Sequence, residues 1–126
     1  MVGLVVVSHS ATAAEGIAEV AGEMGGDTRI EPVGGDGQGG FGTVADGIED
    51  ALDEADSGDG VVVLVDLGSA VMNAEVAIET SDVKAVIADA PVLEGAVNAA
   101  VAATSSKATV ESVREQAEAA RGVEKL

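Results

Sequence analysis

Two short aliphatic runs constrain the fold of this chain more than any other feature. Val2–Val7 reads VGLVVV and Val61–Val65 reads VVVLV, with no polar side chain in either. Runs of this length and composition are typical of strands buried on both faces of a parallel sheet. Two weaker segments, Thr28–Val33 and Val83–Ala88, are predicted as the second and fourth strands of the same sheet.

Segments with apolar residues at helical spacing separate the four predicted strands. Five helices follow from this spacing, from Thr12 to about Met24, after the cap residue Thr43, after Ser69, from about Glu94 to Ala103, and from near Thr109. The third of them carries Met72, Val76 and Ile78. Alternation of strands with crossover helices predicts an α/β three-layer sandwich, with helices on both faces of a mainly parallel four-stranded sheet. We expect one domain, residues 1–126, with strand order 2-1-3-4.

Composition excludes several classes of protein. The 126 residues include 23 acidic and 6 basic side chains, which gives a formal net charge of −17. This charge and the presence of a single aromatic residue, Phe41, argue against nucleic-acid binding. The chain has no cysteine, and no apolar run approaches the roughly 20 residues of a membrane span. No signal peptide is recognisable, so we expect a cytoplasmic protein.

The same composition argues against disorder, because 47% of the residues are hydrophobic. A large excess of acids over a core of small residues is instead typical of proteins from a salt-rich cytoplasm. Dissolved salt would screen the mutual repulsion of the acids. We therefore expect a halophilic protein.

His9 and Asp66 are the first candidates for a functional site. Each follows one of the two aliphatic strands, and ligands of parallel sheets bind beyond the carboxyl ends of strands where the strand order reverses. His9 is the only side chain of the protein that is neutral and nucleophilic near pH 7. Asp66 is expected either to accept the Nδ1–H of His9 or to cap the helix that follows it.

Two glycine-containing segments lie near these candidates. The amides of Gly68 and Ser69, at the start of a predicted helix, either form an anion site or belong to a plain turn. The segment from Gly34 to Gly42 has six glycines and one apolar side chain, so it is either mobile or held by close backbone contacts. It lacks the lysine of a Walker A motif. A lone histidine with scattered carboxylates is also a weak basis for a metal site, and none is predicted.

Three segments resemble a known family. They are Ser8-His9-Ser10, Asp66-Leu67-Gly68-Ser69-Ala70 and Ala90-Pro91-Val92-Leu93-Glu94-Gly95. Together they are similar to the phosphocarrier subunits of phosphotransferase-dependent dihydroxyacetone kinases, which have the mannose-type IIA fold. The resemblance covers essentially the whole chain.

The resemblance implies a phosphotransferase subunit that acts through phosphohistidine. His9 would receive a phosphoryl group on Nε2 from a phosphorylated HPr-type carrier and pass it to ADP in a nucleotide-binding kinase subunit. This transfer supports the phosphorylation of dihydroxyacetone from phosphoenolpyruvate. The resemblance also implies a homodimer with no cofactor on this subunit. Asp66 would orient the His9 ring, and the phosphate would be bound by Ser10, Gly68, Ser69 and Thr43.

Two other functions stay open from the sequence. The first is the IIA component of a mannose-type sugar transporter, which shares the fold and the histidine chemistry. The second, of a different class, is a non-catalytic binding or assembly module that uses the glycine-rich segment.

Overall fold

The computed structural model describes all residues from Met1 to Leu126. The elements, in chain order, are β1 (Gly3–Ser8), α1 (Ala11–Met24), β2 (Ile30–Gly34), α2 (Ala45–Ala55), β3 (Val61–Val65), α3 (Ser69–Thr80), β4 (Ala85–Ile87), α4 (Val92–Ala103), α5 (Val110–Ala119) and a final 3₁₀ turn, Ala120–Gly122.

The four strands form one parallel sheet in the order β2-β1-β3-β4. The predicted fold class and strand order are confirmed. The bounds of the two outer strands differ from the predicted Thr28–Val33 and Val83–Ala88. β2 runs from Ile30 to Gly34, because its pairing with β1 extends from Leu4 to Ser8. β4 is an edge strand that pairs with only three residues of β3, Val61 to Val63, and is correspondingly short.

Two apolar cores lie on opposite faces of the sheet. Alternate residues of β1 and β3 point to each face, so every position of these strands is apolar apart from Gly3 and the terminal Ser8. One core contains residues of α1, α4 and α5, and the other contains residues of α2 and α3. The helices contribute mostly alanine to both cores, which lets them pack close to the sheet.

The structure corrects three predicted features of the helices. Helix α1 is capped by Ser10, whose hydroxyl accepts a hydrogen bond from the Ala13 amide, so Thr12 lies inside the first turn. The N-cap position of α2 is Val44 rather than Thr43 and makes no side-chain cap. Helix α4 begins at Val92, directly after Pro91, two residues before the predicted start at Glu94.

Of the three larger side chains predicted for the third helix, only Ile78 packs against the core. The buried residues of this helix are Ala70, Ala74 and Ala77, whereas Met72 and Val76 are exposed. None of the helices combines the length and apolar character needed to cross a bilayer.

Strand register brings the two candidate residues to one edge of the sheet. Val7 pairs with Val65 in the central β1–β3 ladder, and the Asp66 amide donates to the Val7 carbonyl oxygen at 3.0 Å. The next residues in each chain segment, Ser8, His9 and Asp66, therefore lie together at the carboxyl ends of the strands. Helices α1 to α4 all begin at this edge, since each follows a parallel strand.

Candidate active site

Asp66 makes three hydrogen bonds to the end of β1. Its Oδ1 lies 3.0 Å from Nδ1 of His9, while its Oδ2 accepts from the His9 backbone amide at 2.9 Å and from the Ser8 hydroxyl at 2.9 Å. Helix α3 has no side-chain cap bond, so the capping role that the sequence left open for Asp66 is not observed. The structure thus places Asp66 against the His9 ring.

These hydrogen bonds keep Asp66 ionised. Partial burial acts to raise the pKa of the Asp66 carboxyl, but the bonds from the His9 amide, the His9 ring and the Ser8 hydroxyl lower it by more. The net pKa of Asp66 lies below its ordinary value, because all three groups stabilise the charged form.

An ionised carboxylate fixes the tautomer of the His9 ring. A carboxylate accepts hydrogen bonds only, so the Nδ1 that lies 3.0 Å from Asp66 must carry a proton. In a neutral imidazole the other nitrogen, Nε2, then has a free lone pair. The arrangement therefore gives Nε2 of His9 the character of a nucleophile.

The start of α3 faces this nitrogen. Ser69 Oγ lies 3.0 Å from Nε2 of His9, and in the neutral ring with its proton on Nδ1 the hydroxyl donates. The backbone amides of Gly68 and Ser69 have no acceptor in the protein, as expected for the first positions of a helix. An anionic group on Nε2 would lie next to a hydroxyl donor and near the free amides of a helix N-terminus.

The glycine-rich segment after β2 borders the other side of His9. Of the two alternatives predicted for this segment, mobility or close backbone contacts, the structure shows the second, because hydrogen bonds hold the segment. Asp36 Oδ1 accepts from the amides of Gln38 and Gly40, and the Gly42 amide donates to the His9 carbonyl oxygen at 2.9 Å. The two amides also lower the pKa of Asp36.

At Gly34 a Cβ would collide with the Ser8 carbonyl oxygen, so the close approach of this segment to β1 requires glycine there.

Two predicted phosphate-binding residues have other hydrogen-bond partners. The Ser10 hydroxyl caps α1, and the Ser10 amide donates to Ser8 Oγ at 3.1 Å. Thr43 Oγ1 accepts from Nδ2 of Asn73 at 2.7 Å, and the same amide group donates to the Thr43 carbonyl oxygen. Neither hydroxyl is hydrogen-bonded to the His9 ring, so their contact with phosphate stays a prediction.

Ser8 and Asn73 support the site and were not among the site residues predicted from the sequence. Ser8 is only 2% exposed and is the one buried polar residue, and a polar side chain at the end of an apolar strand requires a partner. Asn73 follows Ser69 by four residues, which places both on one face of α3. That spacing could have indicated that Asn73 faces the same side as Ser69. Its bonds to Thr43, which tie α3 to the segment between the glycines and α2, have no such signal.

The chain is thus a parallel α/β domain with a carboxylate-oriented histidine at the point where its strand order reverses. The family model described as PTS system fructose IIA component, EIIA-man, matches residues 3–114. The chain belongs to this family.

Individual relatives agree with the family. A protein of Listeria innocua named "PEP-dependent dihydroxyacetone kinase 2, phosphoryl donor subunit DhaM" is 42% identical, over 80% of this chain and 85% of that protein. A Lactococcus lactis protein named "PTS-dependent dihydroxyacetone kinase, phosphotransferase subunit DhaM" is 34% identical, over 92% of this chain and 93% of that protein. The crystal structure of EF1359, a protein of unknown function, superimposes with a TM-score of 0.80 at 31% identity, covering 94% of both chains.

Proposed function

We propose that the chain is the phosphoryl donor subunit of a phosphoenolpyruvate-dependent dihydroxyacetone kinase and works in the cytoplasm. His9 takes a phosphoryl group from an HPr-type carrier and gives it to ADP bound in the nucleotide-binding kinase subunit. The subunit itself uses no cofactor and acts as a homodimer. The observation that carries the proposal is the His9 ring, held by Asp66 on Nδ1 with Nε2 facing the start of α3.

The first transfer makes one nitrogen–phosphorus bond and breaks another. The Nε2 lone pair of His9 attacks the phosphorus of the donor phosphohistidine, and the donor imidazole leaves with the electron pair of the broken bond. The proton on Nδ1 stays where it is, so the phosphorylated ring carries a positive charge that the Asp66 carboxylate stabilises. Phosphoryl transfer depends mainly on positioning and on charge stabilisation, and this geometry supplies both.

The second transfer restores the neutral ring. A terminal β-phosphate oxygen of ADP attacks the phosphorus on His9, the Nε2–phosphorus bond breaks, and its electrons return to Nε2. ATP forms in the partner subunit and can phosphorylate dihydroxyacetone there. Ser69 and the free amides beside it would donate to the phosphate oxygens while the group resides on His9.

The relatives favour dihydroxyacetone over sugar as the final acceptor. Those from Listeria and Lactococcus are named as subunits of dihydroxyacetone kinases, and each is matched over most of its length. The sugar-transport alternative is favoured by the family description, which names a IIA component of a sugar phosphotransferase system. The acceptor therefore has to be tested directly.

A single reconstitution tests the proposal. The chain is incubated with enzyme I, HPr and phosphoenolpyruvate, and its intact mass and the lability of the phosphate are measured. We expect one phosphate that is acid-labile and base-stable, as phosphohistidine is. Addition of the dihydroxyacetone kinase subunits with ADP and dihydroxyacetone should discharge it, whereas a sugar-transporter IIB domain should not. Absence of phosphate on the chain would refute the proposal and favour a non-catalytic binding module.

A further inference from the structure

Two clefts lie on either side of His9, and each has an exposed apolar side chain at its border. One cleft, of about 570 Å³, lies between the start of α1 and the glycine-rich segment and is bordered by Phe41. The other, of about 400 Å³, lies between the segments after β3 and β4 and is bordered by Leu67. Phe41 is 82% exposed and Leu67 is 57% exposed.

Phe41 is the only aromatic residue of the protein, yet it contributes nothing to either core. The backbone of the segment that carries it is held by the bonds that Asp36 accepts and by the Gly42 amide, which donates to the His9 carbonyl oxygen, so Phe41 is presented beside the site. An aromatic side chain that is exposed in the free protein on a hydrogen-bonded segment is typical of an anchor in a protein–protein interface.

The charges at this edge indicate the character of the partner. Asp36 and Asp46 lie there without a basic partner, Asp46 in the first turn of α2. The two basic side chains near this edge, Arg121 and Lys125, are already paired with Asp89 and Glu94 at 3.3 and 3.2 Å. No basic side chain is hydrogen-bonded to His9 or Ser69. The chain thus holds no basic side chain against His9, and basic side chains of a partner would complement both a phosphoryl group on Nε2 and the two unpaired acids.

We propose that Phe41 and Leu67 are the apolar anchors by which the phosphoryl donor protein docks over His9. The matching surface on the donor is an apolar recess bordered by lysine or arginine side chains, which face Asp36 and Asp46. This inference rests on the proposed function, because it assigns the docking surface for the same histidine.

The test separates docking from the reactivity of His9. Variants Phe41→Ala and Leu67→Ala are phosphorylated in parallel by phosphorylated HPr and by phosphoramidate, a small donor that transfers its phosphoryl group with loss of ammonia. Rapid-quench rates are measured against donor concentration. Met24→Ala is the matched control, since Met24 is an exposed apolar residue at the far end of α1, about 20 Å from Ser10 along the helix.

We expect each docking variant to lose about tenfold in kcat/KM with phosphorylated HPr, mainly through KM. Phosphoramidate should react at an unchanged rate, and Phe41→Leu should recover most of the loss. Asp46→Lys should slow transfer from HPr, whereas Asp50→Lys, one helical turn further from the edge, should have little effect.

Three outcomes would overturn the inference while the proposed function stands. Equal rates for Phe41→Ala, Leu67→Ala and the unaltered protein with HPr would remove both residues from docking. An equal loss with phosphoramidate would place them in the chemistry of His9 instead. Conversion of a dimer to a monomer by Phe41→Ala, seen by analytical ultracentrifugation, would assign the surface to a second copy of the chain. If the unaltered protein accepts nothing from HPr, the proposed function fails and this inference fails with it.

Discussion

Asp66 holds His9 at two points at once, with Oδ1 3.0 Å from the ring Nδ1 and Oδ2 2.9 Å from the backbone amide of the same residue. One carboxylate therefore fixes the orientation of the ring relative to its own backbone. The buried Ser8 hydroxyl donates to the same Oδ2 at 2.9 Å and so restricts the carboxylate.

Replacement of His9 by alanine should abolish phosphorylation and leave the fold intact. The residue lies in the short segment between β1 and α1, outside both apolar cores, so its side chain contributes little to packing. Intact-mass analysis measures the phosphate, and circular dichroism with a thermal melt measures the fold. Phosphate retained at another residue would contradict the assignment of His9.

Asp66→Asn should slow phosphoryl transfer by about two to four orders of magnitude, by analogy with other aspartates that orient a catalytic histidine. An amide can present either a donor or an acceptor to Nδ1, so the tautomer is no longer fixed, and the charge that stabilises the phosphorylated ring is lost. Rapid-quench kinetics measure the rate, and nitrogen chemical shifts of the one histidine report the tautomer.

Asp53→Asn is the matched control for this substitution. It removes the same charge from an exposed position on α2, where no side-chain hydrogen bond is lost. The control should transfer phosphate at the rate of the unaltered protein. A normal rate in Asp66→Asn would remove Asp66 from the mechanism.

The lowered pKa of Asp66 gives its stabilising effect a definite pH window. A carboxyl whose pKa is lower in the folded state stabilises the fold fully above its unfolded pKa of about 3.9. The effect is lost as the pH falls through the folded pKa. The difference in melting temperature between the unaltered protein and Asp66→Asn should thus be present at pH 5 and shrink as the pH falls below about 4. A difference that does not change with pH would show that ionised Asp66 does not stabilise the fold.

The sequence predicted the sheet and the pairing of His9 with Asp66 for related reasons. Strands that are apolar at every position fit only a sheet covered on both faces, and parallel register then brings the residues after β1 and β3 together. The helix starts were less predictable. Ser10, Thr12 and Thr43 are all residue types that cap helices, and tertiary contacts determine which of them does so. The Thr43 hydroxyl instead accepts a hydrogen bond from Asn73. The two residues are 30 positions apart, and no local pattern indicates this contact.

Ser69→Ala should slow transfer at His9 by about tenfold to a hundredfold. The hydroxyl lies 3.0 Å from Nε2 and is the side-chain donor nearest to the position of the phosphoryl oxygens. Ser106→Ala, at an exposed position between α4 and α5, is the matched control. The rate of dephosphorylation of the isolated phosphoprotein should rise in Ser69→Ala, and a change in neither rate would leave the free amides as the only donors at the site.

The stability of the fold should rise with salt concentration. The chain has a formal net charge of −17, and only three of its acidic side chains are paired with lysine or arginine. The remaining acids repel one another, and potassium chloride screens that repulsion over a distance that falls from about 10 Å at 0.1 M to about 3 Å at 1 M. We expect the melting temperature to increase steadily from dilute buffer to molar potassium chloride.

A variant distinguishes screening from a general effect of salt on apolar burial. Asp50 and Asp53 lie three residues apart on the exposed face of α2, so their replacement by asparagine removes a pair of neighbouring like charges. The double variant should melt higher than the unaltered protein in dilute buffer, and the two should converge at molar salt. Parallel salt dependences with no convergence, or a melting temperature indifferent to salt, would refute the halophilic interpretation of the composition.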